Sequence, residues 1–231
     1  MEKYAKEQHF ERAERVKRQV LALIALQEYR LDPMLYTQKD TLMDSPYEEE
    51  LIHLRALLQD HIPTLGVLSR IECIDISNFS GRQAAGSLVV LTNGVPDTNQ
   101  YRRFKIQTRH PNGAGQVVPN DVGMIKEVLS RRLKHPEWKY PNLLVIDGGK
   151  PQVAAATEIL QASGLTIPLI GLAKRFEEII VPSNRQFTVI RLPLTNPAIH
   201  VLQRIRDEAH RFAKSYHIHL RKKLMSGLTA V

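Results

Sequence analysis

The sequence predicts an α/β protein: a mixed sheet flanked by helices, preceded by an N-terminal α-helical arm. Three observations carry that prediction. Residues 71–78 and 143–147 are short apolar runs rich in β-branched residues and bounded by turn formers, and both read as buried strands. Three strand-like runs come first, and helices then alternate with strands, an order that closes a sheet through short antiparallel links followed by parallel crossovers. Ahead of all of them, residues 1–63 are patterned as helices joined by a polar loop.

The composition sets bounds. The 231 residues, 43% hydrophobic and 24% charged, suit an ordinary globular protein with one substantial core and an appendage. No apolar run approaches the ~20 residues that span a bilayer, and the charged, helix-like opening has no signal-peptide pattern. Cytoplasmic residence without a membrane partner is the default expectation. A single cysteine, Cys73, excludes an internal disulfide framework and a multi-cysteine zinc site. The formal net charge of +8 favours a polyanionic partner, because released counterions drive binding to phosphates. Charge alone does not decide that the partner is nucleic acid.

The elements follow in order. In residues 1–29, Phe10, Ala13, Val16, Val20, Leu23 and Ile24 recur at helical spacing between Glu and Arg, an amphipathic stripe that needs a partner to be buried. Either it folds back on its own domain or it is a docking hairpin for another protein. Ser45-Pro46-Tyr47-Glu48 opens a second helix, with Ser45 suited to the N-cap, Pro46 to the first helical position and Glu48 to a capping box. Ile62-Pro63 closes that segment, so residues 1–63 form the arm, 64–224 the main domain and 225–231 a tail. After the run holding Asp75, residues 86–92 form a second strand ended by Asn93-Gly94, a strong hairpin signal. Residues 101–108 alternate polar with apolar as a third strand, and 109–119 form a loop. A helix over 121–133 turns Met124, Ile125, Val128 and Leu129 inward and ends in the basic residues Arg131, Arg132 and Lys134. The strand ending in Asp147 comes next, then a helix over 151–162 and a buried strand over 167–173. Residues 177–182 and 187–193 read as a small hairpin insert. Asn196-Pro197 then opens a last helix reaching about residue 223, with Ile205, Ala209, Phe212, Ala213 and Tyr216 inward and His210 beside that face.

Three strands, helix, strand, helix, strand is the order of the ribonuclease H-like fold, in which the first and fourth strands lie side by side. Asp75 and Asp147 then converge on one space. Paired strand aspartates are a usual framework for a divalent cation, since hard cations take oxygen ligands, and a buried aspartate without a charge partner is costly. Blander readings exist for each residue. A lone aspartate at a strand end is more often a turn former or helix cap, and Asp121 sits where it can cap its helix. His210 alone reads as a helix residue paired with Asp207 or Arg206. Glu208 reads either as a surface ion-pair member or as a group that orients His210.

These blocks together resemble the UvrC family, the excinuclease subunit of bacterial nucleotide excision repair. The resemblance covers residues 70–223 through Ile71–Asn78, Arg-Arg-Phe at 102–104, Asn120-Asp121, Asp-Gly-Gly-Lys at 147–150, residues 170–174 and the long run Leu-Gln-Arg-Ile-Arg-Asp-Glu-Ala-His-Arg-Phe-Ala at 202–213. Residues 1–27, with Phe-Glu-Arg-Ala at 10–13, resemble that family's UvrB-binding helical hairpin. The resemblance implies a metal-dependent endonuclease domain of ribonuclease H-like fold that cuts damaged duplex DNA on the 5′ side of a lesion after UvrB has marked it. It implies an Asp75–Asp147–His210 constellation holding Mg²⁺ or Mn²⁺, one ion or two, with Asp121 as a further acidic residue. Lys150 is then placed to meet a phosphate, and Arg102, Arg103, Arg206 and Arg211 to grip the DNA backbone.

The resemblance has gaps. The family's N-terminal GIY-YIG nuclease and its terminal helix-hairpin-helix elements have no match, Val122-Gly123 departs from the family run after Asp121, and the 109–119 loop is extended. Two rivals stand beside the nuclease: a non-catalytic adaptor holding UvrB and DNA, and a nuclease acting on RNA-containing or branched substrates through the same fold.

Overall fold

In the computed structural model, residues 46–79, 83–107, 120–173, 178–183, 186–193 and 195–226 are described, with backbone alone at 78, 79, 83 and 216–226. The expected helix at 1–29, the Ser45 cap, the 109–119 loop and the end of the tail lie outside them. The described chain runs α1 (Pro46–Gln59), β1 (Arg70–Phe79), β2 (Gln83–Thr92), β3 (Val95–Pro96), β4 (Arg102–Lys105), α2 (Asp121–Leu133), β5 (Leu143–Ile146), α3 (Lys150–Ala162), β6 (Leu169–Ala173), β7 (Glu178–Ser183), β8 (Gln186–Arg191) and α4 (Pro197–Ser226).

The strands form one mixed sheet in the order β3-β2-β1-β5-β6-β7-β8, with β4 also paired to β2. The expected logic holds. β1, β2, β3 and β4 are joined by antiparallel pairings, whereas β5 and β6 return through helices to run parallel to β1. The Asn93-Gly94 turn has positive φ at both residues, 49° and 78°, as a two-residue hairpin of type I′ requires. The third strand is shorter than expected: β3 occupies β2 at Leu91 and Thr92, leaving only Ala85 to Leu88 for β4.

Helices cover both faces. A side chain at Gly86 would run into Val128 of α2, and one at Gly171 into Val153 of α3, so α2 and α3 press on the face that carries Ile74, Ile76 and Ile146. On the other face α4 lies against β1 and β2 and receives α1. Leu54, Leu58, Ile71, Ile74, Leu91, Leu144 and Ile146 are almost wholly removed from solvent. Burial on this scale is the dominant stabilising term, about 25 cal/mol per Å² of apolar surface.

Three features differ from the sequence reading. The expected hairpin insert is part of the main sheet, because β7 pairs antiparallel with β6 and β8 with β7. Ile179, Ile180 and Val181 are buried, so this strand is apolar on both faces and extends the sheet. Helix α1, grouped with the arm from sequence, sits in the same compact unit as the sheet. Leu51, Leu54 and Leu58 join the core, and Glu50 pairs with Arg204 of α4 at 2.5 Å. Arg132, one of the basic residues expected at the end of its helix, is 1% exposed and grips Glu72. Glu72, a second carboxylate in the Asp75 run, is fully buried.

Candidate metal centre

Side chains on a strand alternate between faces, so Asp75 points to the α4 side and Glu72 to the α2 side. The Asp147 N–H donates to the Ile74 carbonyl at 2.9 Å, continuing the β1–β5 ladder one residue past the strand. Asp147 thereby emerges on the same face as Asp75, on the neighbouring strand. α4 is anchored at its start by the Asn196 side chain, which accepts from the Ala198 N–H at 2.9 Å. From this helix His210 reaches down until Nε2 is 2.7 Å from Asp147 Oδ2. One ligand atom from each of Asp75, Asp147 and His210 lies within 4.8 Å of the other two.

The electrostatics of this cluster are unusual. Asp75 is 3% exposed, and the Asp147 carboxylate is completely buried. The short His210–Asp147 contact lacks hydrogen-bond alignment, so both Asp147 oxygens and His210 Nε2 are buried without a hydrogen bond. Buried polar atoms are normally satisfied, and a buried carboxylate that is not is expensive. Convergent carboxylate and imidazole donors, with those of Asp147 and His210 lacking a hydrogen bond, match the demand of a divalent cation. These residues fit a metal.

The surroundings hold the cluster still. Gly148 and Gly149 turn the chain from Asp147 into α3, and a side chain at Gly171 would meet Val153 and come within 3.0 Å of the Gly148 carbonyl. Cys73 lies on the same face as Asp75. Burial, then the charges of Asp147 and Asp75, push its thiol well above the ordinary range, while Arg206 opposes them. Arg206, one helical turn before His210, is thus close enough for its charge to act on this site.

The remaining expected site residues divide. Lys150 is exposed in the first turn of α3, three residues after Asp147 in the chain. Register places Arg103 opposite Ser87, and Ser87 opposite Asp75, so all three share the α4 face. The Arg103 guanidinium lies 4.1 Å from the Phe212 ring centroid and donates to Ser215 Oγ at 2.8 Å. Arg102 points to the opposite face and covers Trp138 at 4.9 Å, so the two arginines serve different surfaces. Asn120, not Asp121, caps α2 by accepting from the Gly123 N–H at 2.9 Å. Asp121 lies outside the three-residue group. Glu208 accepts from the Tyr101 hydroxyl at 2.9 Å and pairs with Arg211 at 2.5 Å, so it faces Tyr101. Arg211 holds the Glu208 carboxyl below its ordinary range; burial, then Glu208, pushes the Tyr101 phenol above its own. No sequence signal links Tyr101 to Glu208, because only the fold brings residues so distant along the chain together.

The model of the UvrC RNase H endonuclease domain matches residues 60–213. The chain belongs to that family. UvrABC system protein C of Dehalococcoides mccartyi (strain ATCC BAA-2100) is 48% identical over 170 residues, covering 70% of this chain and 26% of the relative. That of Methanococcoides burtonii is 47% identical over 169 residues, covering 71% and 27%. The chain thus spans about a quarter of the length of these curated relatives. The crystal structure of human ENDOV is a distant likeness, with 13% identity and a TM-score of 0.36 over 72% of this chain and 98% of that one, and it carries no argument. The UvrC domain family confirms the α/β class of ribonuclease H-like fold and the endonuclease character expected from the sequence. Among the described residues no helix is long and apolar enough to cross a membrane.

Proposed function

We propose that this chain is a divalent-metal-dependent DNA endonuclease of nucleotide excision repair that hydrolyses a phosphodiester on the 5′ side of a lesion, together with UvrB. The observation that carries the reading is the convergence of Asp75, Asp147 and His210 within 4.8 Å, with both Asp147 oxygens and His210 Nε2 buried and unsatisfied. Asp75 and Asp147 would hold Mg²⁺ or Mn²⁺ through carboxylate oxygens, and His210 through Nε2. When bound, such an ion supplies positive charge at the scissile phosphate and acidifies a water.

The chain's own residues hold the strand. Arg206 and Arg103 present guanidiniums on the α4 face, where they meet non-bridging phosphate oxygens and set the register of the backbone. Lys150 adds a point charge beside Asp147. Arg211, paired with Glu208 but 60% exposed, extends the same positive strip. Asp121, on the helix that covers the opposite face, is left out of this set. The contact with UvrB is assigned to residues 1–27, on the strength of their resemblance to the family's helical hairpin.

The test is nicking of an end-labelled duplex carrying one bulky lesion, with and without UvrB, in Mg²⁺ or Mn²⁺. The proposal expects a single cut on the 5′ side that needs metal and is lost in Asp75→Ala. Folded protein that binds UvrB and DNA yet never cuts would overturn the nuclease reading in favour of an adaptor.

A further inference from the structure

A second charged group lies at the other end of the sheet. Arg70 and Glu72 face the α2 side of β1, and at about 3.3 Å per residue Arg70 stands roughly 17 Å along the strand from Asp75. Two guanidiniums share the single carboxylate of Glu72. Arg132 donates from Nε to Oε2 at 2.9 Å and from Nη2 to Oε1 at 3.0 Å. Arg70 donates from Nε at 3.0 Å and from Nη2 at 2.7 Å, both to Oε1. Arg70 and Arg132 are 6% and 1% exposed. They line a cavity of about 320 Å³ whose other charged walls are Arg102, Lys139, Glu72 and Glu137.

Positive charge is in excess there. Four cations face two carboxylates, and Glu137 is engaged by His135 at 2.6 Å. A third carboxylate, Asp97, stands behind Gln100, which accepts from Arg70 and donates to Asp97. Counting Asp97 still leaves the cations ahead. Backbone carbonyls of His135, Trp138 and Lys139 absorb part of the Arg132 charge. Buried cations outnumbering their counterions are costly until an anion completes the group. Most N–H donors of Arg70 and Arg132 are already taken by Glu72, Gln100 and backbone carbonyls, and Arg102 Nη1 donates to the Asn99 and Tyr101 carbonyls. What this fixed group offers a phosphate is its net positive charge, with the remaining Arg102 donors and the Lys139 ammonium to meet the oxygens. The Trp138 ring at the rim is stacked on His135 at 4.0 Å and has Arg102 at 4.9 Å and Arg132 at 5.6 Å. With its ring engaged in this way Trp138 serves as a wall, so recognition falls on phosphate and not on a stacked base.

We propose that this cavity is a phosphate-binding site, separate from the metal centre, for a phosphate mono- or diester. Arg102 and Lys139 are the accessible clamps, and the Arg70–Glu72–Arg132 group is their fixed positive floor. The phosphate can belong to a nucleic-acid backbone or to a free nucleotide.

Trp138 is the only tryptophan in the chain, so its emission reports on the cavity. The experiment titrates the full chain with inorganic phosphate at constant ionic strength, balanced with chloride. The expected result is a saturable emission change whose midpoint moves roughly tenfold higher in Arg102→Gln and in Lys139→Gln, and stays put in Lys105→Gln. Phosphate should also raise the melting temperature of the wild type more than that of either clamp variant. Competition by an oligonucleotide at lower concentration than a mononucleotide assigns the site to a strand, and equal competition assigns it to a free nucleotide. No saturable change, or a change indifferent to Arg102→Gln and Lys139→Gln, overturns the proposal.

Discussion

If Asp75 and Asp147 are placed for a cation, they must oppose each other without one. Their ligand oxygens lie no more than 4.8 Å apart. At an effective dielectric constant near 20 the repulsion between two unit charges at that distance is about 3.5 kcal/mol. Asp147→Asn removes it with little change of shape. Part of the gain is offset, because the substitution gives up the charge that faces His210 Nε2 at 2.7 Å, Arg206 already softens the local field, and an imperfectly partnered amide costs roughly 1 kcal/mol or more. The expected net effect is a gain of about 1–2 kcal/mol in metal-free buffer, or roughly 2–8 °C in melting temperature for a chain of this size. The assay is thermal unfolding by circular dichroism after chelation, with the wild type and Asp147→Asn side by side. A site that sacrifices stability for function behaves this way. An Asp147→Asn protein that melts at or below the wild-type temperature would refute the reasoning.

Other perturbations test the frame around the site. Glu72→Gln leaves two buried guanidiniums without their carboxylate and is expected to cost about 3–5 kcal/mol; urea unfolding should show it, and a loss below about 1 kcal/mol would contradict the buried triad. Gly171→Ala forces a methyl against Val153 and towards the Gly148 carbonyl. It should cost roughly 1–3 kcal/mol in thermal unfolding and also weaken Mn²⁺ binding, because the turn after Asp147 shifts. Tyr101 gives a pH test. Its folded phenol is raised by burial and by Glu208, so the stability it contributes is complete below the unfolded value of about 10 and is lost as pH rises above it. Tyr101→Phe should therefore flatten the alkaline fall of melting temperature between about pH 10 and 12; an unchanged slope would contradict the Tyr101–Glu208 bond.

Local pattern made much of this legible. β-branched runs bounded by turn formers located β1 and β5, Asn93-Gly94 located a hairpin, and Asn196-Pro197 marked the start of α4. Element order then placed the two aspartate strands side by side. What escaped has a physical reason in each case. Residues 177–182 looked like an insert because nothing local shows that β6 leaves an edge open for them. The role of Glu72 is not legible because a carboxylate inside an apolar run gives no hint of two arginines, one of them on another element. Arg102 and Arg103 looked like one DNA grip, although adjacent strand residues must face opposite sides. Helix α1 looked like part of an arm because its amphipathic stripe does not say what covers it. His210 was placed by the family motif, and its position beside Asp147 follows only from how α4 crosses the sheet.

The most direct test of the account is calorimetric titration of the metal-stripped 231-residue chain with Mn²⁺, repeated for Asp75→Ala, Asp147→Ala and His210→Ala. The account predicts saturable binding in the wild type that is abolished by either aspartate substitution and weakened by loss of His210. Absence of saturable binding in folded wild-type protein, or binding that survives both aspartate substitutions, would contradict it.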